Sequence, residues 1–332
     1  MYNLRLSIIV PFYNAENYLE YCIDTLLCQD LDKCEYEIIL INDGSTDKSY
    51  EIAKLLVKRS NNIKLYSQKN GGISSARNTG MKYAMGRYVI FIDSDDFIEK
   101  NKLGKILSIC ELYDLDLCFF LSKVFYNDGS TKLINIQPFD YNIIYTGEFI
   151  VLNGVKVSSV WSCVYSHDFL KETNILFYKG IVHEDIDFNM KLYPLAHRTM
   201  FVKIHIYNYR RGIESLTFTK SRHKILSMIS DNLVVANNVI SYMENNNFSN
   251  KIKRHYYEVF NSMIVSELIS FFHKENNFIS LDFIHYFINE SKNNNLYPIR
   301  GKTLSWKTSI LIPIFNMEWL YLTCVKFIRK FI

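Results

Sequence analysis

Residues 5–100 alternate between two hydrophobic periods. Short, mainly apolar runs at 7–10, 37–41, 63–66 and 88–92 each stop at a proline or a polar cluster. Runs of that length without polar alternation predict buried strands. Between the first two, residues 16–29 place Leu19, Ile23, Leu26 and Leu27 at helical spacing. Two more helices are expected, over 45–58 and 74–85, with Ser45 or Thr46 capping the former and Asp47 in its first turn. The order β-α-β-α-β-α-β predicts an α/β fold, a mostly parallel sheet with flanking helices.

Beyond residue 100 the pattern changes twice. Residues 117–121, 161–165 and 200–202 read as strands, and Asp128-Gly129 reads as a hairpin turn. From Arg222 the spacing is helical, broken at the asparagine runs 245–247 and 293–295. Three parts are expected: an α/β domain over 1–221, a helical C-terminal extension over 222–305, and an apolar tail over 306–332.

Composition narrows the class. Aromatic residues make up 15% of the 332 and apolar residues 48%, which supplies a packed core and excludes wholesale disorder. The 38 Lys and Arg exceed the 34 Asp and Glu by four, too small a surplus for a nucleic-acid binder. The seven cysteines include no Cys-x-x-Cys pair. They predict reduced thiols in a cytoplasmic protein. The N-terminal residues lack the basic and apolar succession of a secretory leader.

The candidate chemistry collects where strands end. In open α/β sheets the ligand crevice lies outside the carboxyl ends of the strands. Tyr13-Asn14, Asn42-Asp43 and Asp93-Ser94-Asp95-Asp96 all fall at such ends. Asp93 and Asp95 offer hard oxygen ligands for Mg²⁺ or Mn²⁺ on a diphosphate, or form a turn in which Asp96 caps the next helix. Asp43 can accept from a nucleobase N–H or a ribose hydroxyl. Arg77 on the third helix can pair with a strand-end carboxylate, reach a phosphate, or do both. Neither Gly-x-Gly-x-x-Gly nor the full Gly-x-x-x-x-Gly-Lys-Ser/Thr phosphate loop is present.

As a set, residues 7–14, 41–47, 70–80 and 91–96 resemble family 2 of the nucleotide-sugar-dependent glycosyltransferases, which have the GT-A fold. The stretches match the family's order and spacing over nearly all of 5–100. The match weakens through 100–220 and gives little beyond. The resemblance implies Pro11, Tyr13 and Asp43 at the nucleotide base, Arg77 at the base and ribose, Asp93 at the ribose, and Asp95 on a divalent metal. It implies Asp185, in the pair Glu184-Asp185, as the catalytic base of an inverting transfer. It also implies Arg211 and Ser215 over the diphosphate, with Arg210 able to exchange for Arg211. His205 lies near, but offset from, a position where some relatives carry a metal-binding histidine.

The implied reaction moves a sugar from a nucleotide donor, a UDP-sugar by resemblance, to a saccharide or lipid-linked saccharide in surface polysaccharide synthesis. No nucleic-acid partner is expected. A binding module derived from the fold but without catalysis would be expected to lack Asp95 or Asp185, and both are present. The tail carries Trp306, Trp319 and Tyr321 with Lys326, Arg329 and Lys330, interrupted by Pro313, Asn316 and Glu318. That mixture suits an interfacial segment on the inner face of a membrane, or a helix packed on the protein's own core, better than a spanning helix.

Overall fold

The computed structural model describes residues 4–156, 159–211, 221–276 and 278–329. They form two compact units: Met1–Gly180 with Glu184–Ser215, and Ile181–His183 with Leu216–Ile332.

The first unit runs β1 (Leu4–Phe12), α1 (Leu19–Leu27), β2 (Tyr36–Asn42), α2 (Ser49–Arg59), β3 (Ile63–Ser67), α3 (Ile73–Tyr83) and β4 (Gly86–Phe91). It continues through β5 (Phe97–Ile98), α4 (Leu103–Tyr113), β6 (Leu117–Tyr126), β7 (Thr131–Ile134), β8 (Ile144–Tyr145) and α5 (Gly147–Leu152). It ends with β9 (Cys163–Ser166), α6 (His167–Thr173), α7 (Glu184–Leu192) and β10 (Thr199–Arg211). One sheet has the order β3-β2-β1-β4-β9-β6-β10-β5, with β7 beside β6 and β8 beside β10.

The half built from residues 4–91 is all parallel, as the alternating periods predict. The other half is mixed: β9 is antiparallel to both β4 and β6, while β6 and β10 run parallel. Tight connections explain part of the difference. The Asp128-Gly129 turn returns the chain directly to make β7 antiparallel to β6, whereas a parallel neighbour needs a long crossover.

Alternate residues of the parallel strands feed two cores. Ile8, Val10, Ile38, Leu40 and Ile90 meet Leu19, Ile23 and Leu26 of α1 and Ile106 and Leu107 of α4. On the opposite face Ile39 and Ile41 meet Ala76 of α3. There α3 approaches β1 so closely that a Cβ at Gly80 would lie 2.3 Å from Ile9 Cγ2. Gly80→Ala is expected to lower the unfolding free energy by about 1–3 kcal/mol through overpacking, read as a lower melting midpoint.

The cap expected at Ser45 or Thr46 does not form; α2 starts at Ser49 and takes no side-chain cap from Lys48. The polar groups of 45–47 tie down the loop after β1 instead. Asn14 N–H donates to Ser45 Oγ, Thr46 N–H donates to Asn14 Oδ1, and Glu16 N–H donates to Asp47 Oδ2. Ser45 and Thr46 are engaged between loops, and Asp47 serves the helix terminus with its other oxygen: Oδ1 accepts from Ser49 N–H at 3.0 Å.

The second unit holds α8 (Arg222–Asn245), α9 (Asn250–Ser270), α10 (Leu281–Asn293), α11 (Trp306–Ser309), α12 (Ile312–Phe315) and α13 (Glu318–Ile328). Ser221, Ser249 and Ser280 cap the three long helices by accepting from Lys224, Ile252 and Phe283 N–H. Residues 306–329 do not stand apart as a tail. Tyr321 is fully buried and donates to Leu268 O, and Tyr297 Oη donates to Phe315 O. The Arg329 guanidinium donates to Phe271 O and Ile279 O. Tyr321 and Arg329 therefore leave the expected interfacial set: unpaired C-terminal carbonyls of α9 draw them inward. Lys330 lies outside the described residues.

Candidate active site

The loops after β1, β2 and β4 lie side by side because those strands are neighbours in register. Pro11 is a buried residue of β1 opposite Ile41, and Tyr13 is an exposed side chain just past the strand. Asp43 comes directly after β2 and is buried. Its Oδ1 accepts from Gln68 Nε2 (2.7 Å) and Gly71 N–H (2.9 Å), and its Oδ2 accepts from Gly72 N–H (2.8 Å). One lone pair of Oδ2 is left for a ligand. The carboxylate thus shapes the loop before α3 as well as facing the crevice. Gly44 permits this closeness: its φ is +75°, and a Cβ there would lie 2.9 Å from Asn70 N.

Arg77 is the hub. It is buried within α3, and Nη2 donates to Asp93 Oδ1 at 2.9 Å while Nη1 donates to Glu184 Oε1 at 2.7 Å. Its ring neighbour is Phe177, 5.4 Å from the guanidinium carbon. Of the roles open to Arg77, the structure shows the ion pair. This bridge brings the loop after β4 to the first turn of α7. There Glu184, Asp185 and Asp187 accumulate, where the helix dipole favours negative charge. Burial pushes the Glu184 carboxyl up to about 7 even though Arg77 opposes it. Asp185 is half-buried, accepts from Ile186 N–H at 2.8 Å, and lies within the electrostatic reach of Arg77. Asp187 points inward and pairs with Lys191 at 2.7 Å.

The four residues 93–96 divide by direction. Asp96 is buried: Tyr207 Oη donates to it at 2.5 Å and Arg210 N–H at 2.7 Å. It therefore anchors the loop to β10 and caps no helix. Asp93 and Asp95 are only partly covered. Burial and the adjacent Asp93 push the Asp95 carboxyl up to about 6. Arg77 is shared between Asp93 and Glu184 and, among the described residues, leaves Asp95 without an ion pair of its own, a charge that a hard cation relieves. The described residues contain no group of three Asp, Glu, His or Cys suited to a metal. Asp95 with Asp93 nevertheless fits Mg²⁺ or Mn²⁺, which take one or two carboxylates and complete their shell with substrate phosphates and water.

Two points that the resemblance left open bear on this loop. His205 turns to Glu99 Oε1 (3.5 Å) and Tyr207 O, and its charged neighbours are Glu99 and Lys123, so it does not join Asp93 and Asp95. The irregular pairing of β10 with β6 at residues 201–207 sets its direction. Of the arginine pair, Arg210 rather than Arg211 meets the candidate metal loop: its Nε donates to Asp95 O at 3.0 Å. Tyr18, Tyr21 and Phe97 surround its guanidinium at 5.1–5.5 Å, and its buried Nη2 has no hydrogen-bond partner. Arg211 is exposed and lies 5.8 Å from the Tyr126 ring. Ser215 lies outside the described residues. Sequence reasoning missed the anchoring role of Asp96 and its partner Tyr207; the aromatic next to the Asn-Tyr-Arg-Arg stretch was the available signal.

Residues 7–166 match the family model described as glycosyl transferase family 2. The Escherichia coli glycosyltransferase YibD is 30% identical over 258 residues, spanning 72% of this chain and 74% of that protein. The chain belongs to glycosyl transferase family 2. The Bacillus subtilis glycosyltransferase EpsJ is 36% identical over 220 residues, which are 64% of this chain and 62% of EpsJ. In fold, the family 2 chain is similar to Staphylococcus aureus TarS 1–349 solved with UDP-GlcNAc. The TM-score is 0.70 at 20% identity, covering 98% of this chain and 91% of that one. The GT-A fold expected from the resemblance and the C-terminal helices expected from the spacing after Arg222 are both observed.

Proposed function

We propose that this chain is an inverting glycosyltransferase that moves a sugar from a UDP-sugar to a saccharide or lipid-linked saccharide acceptor in polysaccharide assembly. The observation that carries the reading is the Arg77 bridge, which joins Asp93 of the candidate donor loop to the helix turn bearing Asp185. The UDP-GlcNAc in the TarS structure supports UDP as carrier. The reduced thiols of Cys22, Cys110, Cys118 and Cys163, all buried, suit a reaction on the cytoplasmic side.

In this reading Asp43 and Tyr13 receive the base and Asp93 the ribose. Asp185 takes the proton from the acceptor hydroxyl as that oxygen attacks the anomeric carbon. Asp95, with Asp93, would hold Mn²⁺ or Mg²⁺, which neutralises charge on a diphosphate leaving group when bound. Arg210 supports that loop from behind and adds positive charge beside it. Asp185 needs no partner acid, because a diphosphate departs once its charge is compensated.

A panel of nucleotide sugars, assayed for release of the nucleoside diphosphate with Mn²⁺ and with chelator, tests the proposal. Metal-dependent turnover of one UDP-sugar is expected. Tight nucleotide binding without turnover of any donor, by folded protein, would sink it in favour of a binding module.

A further inference from the structure

The last helices of the second unit have two faces. The inner stripe, Ile312, Phe315, Tyr321, Leu322 and Val325, is buried within the unit. The outer stripe repeats at i, i+4 and i+8 on each limb. On the first limb it is Trp306, Ile310 and Ile314, with Met317 next; on α13 it is Trp319, Thr323 and Phe327. Trp306 and Trp319 are each 71% exposed, and Ile310 and Phe327 are more than half exposed. So much apolar surface held out to water marks a face that something covers.

Charge identifies the cover. Between residues 296 and 329 Glu318 is the only acidic residue, and Lys292 Nζ already pairs with it at 2.6 Å. Lys307 and Lys326 are exposed on the helices that carry the stripe, and Arg300 and Lys302 are exposed in the segment that leads into α11. Tryptophan beside lysine is the composition of a membrane interface, where the rings enter the headgroup zone and the ammonium groups meet lipid phosphates. A second copy placed face to face would set these cations against their own counterparts. Among the described residues no single helix is long and apolar enough to cross a bilayer. The pair Trp306–Phe315 and Glu318–Ile328 bends by 101°. Its inner stripes are occupied by the protein, so lipid can reach only the outer ones.

We infer that the outer stripe of α11–α13, with Lys302, Lys307 and Lys326, is a docking surface for an anionic lipid bilayer. The readout is lipid binding, so this inference holds or fails separately from the sugar-transfer reading. The full chain is expected to sediment with phosphatidylcholine vesicles that contain phosphatidylglycerol, much less with phosphatidylcholine alone, and to be released by salt. Brominated lipid should quench its fluorescence through Trp306 and Trp319, since Trp161, the third tryptophan, is buried. Trp306→Gln with Trp319→Gln should abolish quenching and weaken vesicle binding about ten-fold or more, with the circular dichroism melt unchanged. Lys302→Glu, Lys307→Glu and Lys326→Glu together should weaken it at least about a hundred-fold, at about five-fold per cation removed. Unaltered vesicle binding by the folded double tryptophan variant would overturn the inference. So would a dimer in analytical ultracentrifugation that the same variant converts to monomer, or an association resistant to high salt and carbonate.

Discussion

Asp185→Asn is expected to lower the transfer rate about 10²-fold or more while leaving donor affinity nearly unchanged. The amide keeps the size of the carboxylate and can still accept from Ile186 N–H, so the first turn of α7 should hold. What it loses is the capacity to take a proton. The Arg77 bridge runs through Glu184 and not through Asp185, so the donor side should survive the change. The checks are single-turnover transfer for the rate and calorimetric titration of the nucleoside diphosphate for affinity. Equal losses in both would place Asp185 in donor binding and remove it as the base.

Asp95→Ala should abolish metal-dependent turnover and weaken diphosphate binding in Mn²⁺, with the fold intact. Stability should move the other way. Asp95 is pushed up to about 6 by burial and by Asp93, above the usual carboxylate range. A group that binds its proton more tightly when folded stabilises the fold as pH falls toward that value, and costs stability when ionised above it. In chelator at pH 7–8, Asp95→Asn is therefore expected to raise the unfolding free energy by an amount on the order of 1–2 kcal/mol. The gain should shrink as pH drops below about 6. Added Mn²⁺ with UDP should stabilise the parent chain and leave the variant almost unmoved. A variant less stable than the parent in chelator would show Asp95 to be a structural residue. Near-normal turnover by Asp95→Ala would remove the metal assignment. Such a cost, carried without ligand and relieved with it, is the pattern of a binding carboxylate.

The amino-acid sequence by itself determined the parallel half of the sheet and the loops that carry Asp43, Asp93 and Asp95. Those features are local. Strand and helix periods repeat within two to four residues, and a loop's position at a strand end is set by where the apolar run stops. The hairpin at Asp128-Gly129 and the helical character after Arg222 were legible for the same reason.

Only the tertiary structure decided direction and partnership. Arg77 meets Glu184 across 107 positions and Tyr207 meets Asp96 across 111, and no local period encodes pairings so distant. Asp96 faces inward because β10 lies beside its loop, which also chooses Arg210 over Arg211 for the Asp95 carbonyl. Ser45 and Thr46 serve the loop after β1 because β1 and β2 are neighbours. In the second unit, Tyr321 and Arg329 share the tail's aromatic and basic composition with Trp306 and Lys326. The unpaired carbonyls at the end of α9 turned the first two inward, and the absence of a protein surface over Trp306 left it facing water. Residue chemistry fixes what a side chain can bind; the packing of distant segments fixes whether the protein itself or a ligand binds it.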